Sequence, residues 1–393
     1  MAIPDQIYDV MVVGGGPAGA MLSSSLAKAG AKVLVLEKSI FPRPKPCAGG
    51  ISRKAFQLLD QDLGPVIEDR CTKLRSSWKG GHPFNQDKGE IFIYLVRREL
   101  FDQALLEQAR SLGAEIQEGV RVQELRMNSA GAEAVTPQGN YRAKFIAGAD
   151  GLNSVVAQSL NLRRHKRLAR ALLCEIIPQN ADELESFRGA ICLDFGVVPF
   201  GYGWVFPKRE HFNTGIYTLR PGLPGLRQRL QAYLRQRFPN YPPEELAELK
   251  AIAYPLPLGG NPEPLHAGRA LLLGDAAGLV DPFTGEGIYY ALRSGQIAAD
   301  CLARALAANS PELLADYTRQ VHGEMLANFR ASWLISLVFH SFPGIFYRLV
   351  TQPKVVAGYQ EIMKRYSRQG ETPYPRLIYE SLTSMFFHRN RHD

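Results

Sequence analysis

Cysteine is scarce in this chain. Cys47, Cys71, Cys174, Cys192 and Cys301 are all that 393 residues contain. Their number is odd and no two lie close together. That argues against a disulfide framework and against zinc-type ligand spacing, so no metal site is expected and a reducing, cytoplasmic compartment is. The start of the chain lacks a signal-peptide pattern: it has no basic opening, and its apolar stretch is broken by Gly14, Gly15, Gly16 and Gly19. Long apolar runs are missing too. The best, Trp333 to Val350, is interrupted by His340, Pro343 and Arg348 and is short for crossing a bilayer. A buried helix pair is the favoured reading of that stretch. An interfacial helix lying on a membrane, with Arg348 and Arg365 beside it, is the alternative. Acidic residues are the scarcer sign, 38 against 46 Lys and Arg, which gives a formal net charge of +8. A basic surface suits an acidic partner, an anionic membrane face or a polyanionic cofactor. No motif interleaves basic and aromatic residues, so nucleic acid is not an expected partner.

The chain is otherwise ordinary for a globular protein, with 46% apolar and 21% charged residues. Its length suits two connected domains. Ile7 to Val13 reads as a buried strand, Pro17 to Ala29 as a helix closed by Gly30, and Lys32 to Glu37 as a second strand. Such a unit predicts a parallel sheet. Arg98 to Leu112 reads as a helix and Tyr141 to Ala149 as a strand. From about Arg170 to Leu258 the texture shifts to strands around Cys174, Leu193, Val205 and Ile216, with a helix near Leu226 to Arg237. Ala270 to Leu273 returns to the buried-strand pattern, and Gly285 to Ala307 reads as a long helix. The expected fold class is therefore α/β, with α+β character overall: a Rossmann-like dinucleotide domain (1–75, 98–168 and 262–310), an inserted antiparallel-sheet domain (76–97 and 169–261) and a helical C-terminal region (311–393).

Two glycine-rich runs carry the chemistry. Gly14-Gly15-Gly16-Pro17-Ala18-Gly19 fits GxGxxG between a strand and a helix. In that pattern Gly14 permits the tight turn, Gly16 lets the backbone approach a pyrophosphate, and Gly19 lets helix and strand pack closely. The helix N-terminus offers free N–H groups to phosphate. Glu37, at the end of the next strand, stands where a ribose-binding acid belongs and disfavours an extra ribose phosphate. A plain glycine turn without a ligand is the alternative. The second run is Gly274-Asp275-Ala276-Ala277-Gly278, continuing through Asp281-Pro282-Phe283-Thr284-Gly285-Glu286-Gly287. A carboxylate at a strand end can accept from a ribityl or ribose hydroxyl. A helix opening near Gly285 would aim its positive end at a flavin ring.

With these runs in view, the sequence resembles the geranylgeranyl reductase family, within the flavoproteins built like p-hydroxybenzoate hydroxylase. The resemblance also rests on Lys45-Pro46-Cys47-Ala48-Gly49-Gly50, Arg98 to Asp102, Gly148 to Ser154, Tyr202 to Pro207, and Gly274 through Gly295. It spans most of residues 1 to 310. Two departures stand out: Ala48, where that branch commonly carries glycine, and Val155-Val156, where the wider group often has an arginine.

The resemblance implies FAD as cofactor, NADPH or reduced ferredoxin as electron donor, and a polyprenyl substrate whose carbon–carbon double bonds are saturated. It implies a cofactor-binding set of Gly14, Gly16, Pro17, Ala18, Gly19, Glu37, Lys38, Cys47, Ala48, Gly49, Arg98, Asp150, Gly274, Asp275, Gly285, Gly287 and Ile288. Arg98 would otherwise be a surface helix charge and Asp150 a turn residue. Cys47 is either a small buried hydrophobe or, in a loop beside the flavin, the donor of the proton that alkene reduction needs. Tyr202, Trp204 and Phe206 alternate along a strand, as core packing or as walls of an isoprenoid groove. Peripheral membrane contact and an acidic electron-transfer protein are further expected partners. A flavin monooxygenase shares the fold and is the alternative enzyme; a flavin-bearing carrier without turnover is the alternative outside catalysis.

Overall fold

The computed structural model describes residues 6–162, 167–353 and 355. Three sheets organise them. The largest has eight strands. Its spine runs His266–Ala267, Ala270–Leu272, Gly139–Gly148, Ile7–Val13, Val33–Glu37, Glu115–Glu118. The four neighbouring pairings between Ala270–Leu272 and Glu115–Glu118 are all parallel. Val10, Met11, Val12, Leu34 and Val35 are buried completely, as strands covered on both faces require. The covering helices are Pro17–Lys28, Arg98–Ser111 and Ile288–Ala308. Pro17 occupies the first helical turn, where its missing N–H costs nothing.

The second sheet has seven strands, in the order Ile252–Pro257, Leu168–Ile176, Phe212–Thr218, Gly201–Pro207, Ala190–Phe195, Lys73–Trp78, Gly81–Asp87. All its pairings are antiparallel except Lys73–Trp78 with Ala190–Phe195. The domain junction expected at 75/76 thus falls inside a paired strand. The helix Leu226–Arg237 packs Leu230, Tyr233 and Leu234 into a core of this sheet. A small third sheet joins Gly50–Ser52, Ile93–Val96 and Ile67–Cys71.

Two expectations need correction. The long helix begins at Ile288, not Gly285. Asp281 accepts from the N–H groups of Phe283 and Thr284 and from the Thr284 hydroxyl, and this turn occupies the residues before the helix. Asp275 does not end a strand either. It sits in the first turn of the short helix Gly274–Ala277.

The stretch Trp333 to Val350 forms parts of two helices, Ala327–Ser341 and Pro343–Val350. Phe329, Phe339 and Tyr347 are buried, while Leu334, Leu337, Val338, Phe342 and Ile345 stay exposed. Burial therefore describes one face only. No helix among the described residues is long and apolar enough to cross a membrane. The rest of the expected C-terminal region, Arg365 included, lies outside the described residues.

Candidate active site

One cavity of about 810 Å³ runs between the two large sheets. Its polar end is built on the turn after Ile7–Val13. A Cβ at Gly19 would lie 2.0 Å from the Gly14 carbonyl, so any side chain there would push the helix off the strand. A Cβ at Gly16 would meet only Arg43 Nη2, at 3.6 Å. Gly16 thus leaves open cavity space at a helix N-terminus, which fits a pyrophosphate. Glu37 is buried, and its two oxygens accept from the N–H of Gly15 (2.8 Å) and of Ser39 (2.9 Å). The carboxylate therefore shapes the glycine turn while its remaining lone pairs stay free for a ribose. Lys38 and Arg43 line the same end.

Arg98 is not a surface charge. It is 8% exposed and makes a bidentate pair with Asp102, at 2.8 and 2.9 Å. Burial disfavours its charge, but Asp102 and Cys47 outweigh that and hold the guanidinium above its ordinary value. Arg43 reaches the same carboxylate at 3.2 Å. Asp150 accepts from the N–H of Val155 at 2.7 Å, and its Oδ1 is buried with no partner among the described residues. Burial pushes its carboxyl up. A buried, orphaned acceptor lining a cavity is where a hydroxyl or N–H of a bound cofactor fits.

Asp275, Tyr254 and Lys45 form a chain: Lys45 donates to the Tyr254 hydroxyl, which donates to Asp275 at 3.2 Å. Burial lowers the Lys45 ammonium and raises the Tyr254 phenol. Gly285, Gly287 and Ile288 line the cavity beside them.

The other end is a wall of alternating residues from the seven-stranded sheet. Ala171, Leu173, Ile191, Leu193, Phe195, Tyr202, Trp204, Phe206, Tyr217 and Leu256 all face the cavity. Strand periodicity puts them on one face. Two of these side chains also reach across to the second glycine run. The Tyr202 hydroxyl donates to the Thr284 carbonyl and the Tyr217 hydroxyl to the Pro282 carbonyl at 2.9 Å. Ser332, from the helix Ala327–Ser341, donates to Asp281 at 2.7 Å.

Between the two ends lies the Cys47 loop. Cys47 lines the cavity, half-buried, and accepts from the Gly49 N–H at 3.3 Å. A Cβ at the next glycine, Gly50, would lie 2.9 Å from the Phe206 ring. The loop thus touches the aromatic wall on one side and Arg98 on the other. Ala48 does not have positive φ, so its methyl is accommodated. Gly49, at φ +68°, is the residue that needs glycine.

Every cofactor residue expected from the sequence, apart from Gly19, Gly49 and Gly274, lines this cavity, and so do the three aromatics. Those three glycines act through backbone packing against it. Sequence reasoning missed Arg43, Lys45, Tyr254, Tyr217 and Asp281. Lys45 and Asp281 stood inside quoted runs; Arg43, Tyr254 and Tyr217 stood in none.

The FAD binding domain family matches residues 7–189. The menaquinone reductase of Mycobacterium tuberculosis (strain H37Rv) is 32% identical over 334 residues, covering 79% of this chain and 81% of that protein. The chain belongs to the geranylgeranyl reductase family of FAD-dependent oxidoreductases. The digeranylgeranylglycerophospholipid reductase of Methanocaldococcus jannaschii is 29% identical, covering 80% of this chain and 82% of that one. A geranylgeranyl bacteriochlorophyll reductase-like protein of Thermoplasma acidophilum superposes with a TM-score of 0.74 at 24% identity, over 85% of this chain and 88% of its own. At that identity the likeness speaks for the fold. This member of the reductase family binds FAD and is an oxidoreductase.

Proposed function

We propose that this reductase saturates carbon–carbon double bonds in a polyprenyl chain. The observation that carries the reading is one continuous cavity: its glycine-turn end fits FAD, its other end is an apolar wall, and a thiol stands between them. Bound FAD, once reduced, supplies the hydride. The chain's own residues do the rest. Gly14, Gly16 and Gly19 admit the pyrophosphate, Glu37 takes the ribose, and Asp150 and Asp275 take hydroxyl or N–H groups. Trp204 and Phe206 hold the alkene against the cofactor and exclude water, and Cys47 donates the proton to the second carbon. Relatives named for digeranylgeranyl lipid and menaquinone support a polyprenyl substrate. NADPH or reduced ferredoxin is the proposed donor, and the basic surface suits the acidic ferredoxin.

A bilayer is the proposed source of substrate. Phe339 and Tyr347 pack on the cavity-lining Phe195, with centroids 5.2 and 5.9 Å away. The same two helices expose Leu334 and Ile345 outward, the junction between them exposes Phe342, and Arg330 and Arg348 are exposed on the helices as well. Apolar and basic residues together suit an anionic interface.

The test is mass spectrometry of polyprenyl lipids and quinones incubated anaerobically with dithionite-reduced enzyme. A mass gain of two hydrogens per double bond is expected. Product that appears only with oxygen, carrying an added oxygen atom, would install the monooxygenase reading instead.

A further inference from the structure

Lys208 lies one residue beyond the strand Gly201–Pro207 that carries the aromatic wall. It is 2% exposed, and among the described residues no carboxylate lies within ion-pair distance of it. Its ammonium instead donates to three backbone carbonyls: Ala48 at 2.8 Å, Val96 at 3.0 Å and Gly49 at 3.4 Å. Three donors meet three acceptors, the full capacity of a lysine. Burying an uncompensated cation is costly, so ordinary packing does not call for one here. The nearby Glu68 is engaged with the Arg209 N–H at 2.9 Å.

The three carbonyls belong to two chain segments that both lead to the cavity. Ala48 and Gly49 directly follow Cys47. Val96 ends the strand Ile93–Val96, two residues before Arg98. The segments press together, since a Cβ at Gly49 would lie 2.1 Å from the Val96 carbonyl oxygen. We propose that Lys208 is the positioning residue for Cys47: it ties the aromatic strand, the Cys47 loop and the Arg98 segment at one point, and so fixes the thiol between Arg98 and the substrate wall.

A charged clamp has a pH dependence that a neutral one lacks. The clamp has its three donors only while the ammonium is protonated, and burial brings the loss of that proton down to about 8. The titratable groups facing Lys208 are Cys47, Glu68, Cys71, Glu175 and His211. Those around Cys47 are Arg98, Tyr254 and Lys208 itself.

The experiment is iodoacetamide alkylation of the full-length, FAD-loaded protein across pH, mapped by mass spectrometry. The other four cysteines are buried, so Cys47 is the accessible target. Lys208→Met should retain the fold by circular dichroism and change the rate of Cys47 alkylation near neutral pH, and its profile should lack the break near pH 8 that wild type shows where Lys208 gives up its proton. A folded Lys208→Met with the wild-type rate and profile overturns the proposal. If that variant does not fold, Lys208→Gln, which keeps N–H donors without charge, carries the same comparison. Loss of fold in both makes Lys208 a residue of the fold alone and also overturns it. The proposal rests on Cys47 lying beside bound FAD, which wild-type protein tests separately. Slower alkylation of Cys47 with FAD bound than without it is expected; equal rates sink that reading, whereas the clamp is decided by the variants.

Discussion

Glu37 does two tasks with one carboxylate. It fixes the glycine turn through Gly15 and Ser39, and it lines the cavity where the proposed function puts a ribose. Glu37→Ala should therefore lower both FAD affinity and thermal stability. Each buried N–H left without an acceptor costs about 1–3 kcal/mol, and the lost ribose bond about 1.5–3 kcal/mol. FAD titration and thermal melts measure the two losses; a lower melting temperature with unchanged FAD affinity would make Glu37 a purely structural acid. Cys47→Ser keeps the size but supplies a much weaker acid. Flavin reduction should be preserved, while anaerobic reoxidation by a polyprenyl substrate slows by about 100-fold. Stopped-flow spectroscopy decides this, and wild-type reoxidation would return Cys47 to a packing role. Lys208 gives a pH signature. Burial pushes its ammonium down to about 8 from an ordinary 10.5. Between those values the unfolded chain binds more protons than the folded one, so stability rises with pH across that window. Wild type should gain on Lys208→Met from pH 8 to 10.5 in denaturant titrations; parallel curves would contradict the shift. Glu37 and Cys47 stood out in the sequence because each sits in a motif, and the structure brings both to the cavity. The sequence could not reveal Lys208, whose partners are backbone carbonyls from two distant segments.

At the scale of elements, alternation and punctuation carried most of the information. The strand Ile7–Val13 and the helix Pro17–Lys28 are framed by valines, proline and glycines, and the structure places them as the pattern predicts. The long helix was harder to place, because Asp281 draws the following residues into a turn that propensity does not reveal. The strands Lys73–Trp78 and Gly81–Asp87 were also obscure: they join a sheet whose other members come about a hundred residues later. Periodicity showed that Trp333 to Val350 is apolar but not which side faces outward. That outward side yields a prediction. Leu334→Ser/Phe342→Ser/Ile345→Ser should reduce co-sedimentation with anionic liposomes while leaving FAD content intact. Each side chain presents its apolar area to water, and their combined burial in lipid is worth a few kcal/mol, about 25 cal/mol per Å². Equal co-sedimentation of the triple variant and the wild type would remove the membrane from the reading.

For the whole molecule, the parallel sheet supplies the cofactor end of the cavity and the antiparallel sheet supplies the apolar wall. Tyr202 and Tyr217 stand in that wall, yet their hydroxyls hold the loop that borders the cofactor end. Whatever presses on these rings therefore also presses on the carbonyls of Thr284 and Pro282. Two ligands sharing one movable boundary are thermodynamically coupled, and the coupling has to be the same in both directions. If a polyprenyl compound tightens the grip on FAD by some factor, FAD must tighten the grip on that compound by the same factor. Replacing both tyrosines with phenylalanine keeps the wall and cuts the hydrogen bonds to the loop. The two factors should then fall together, so the cofactor would no longer register whether a substrate has arrived.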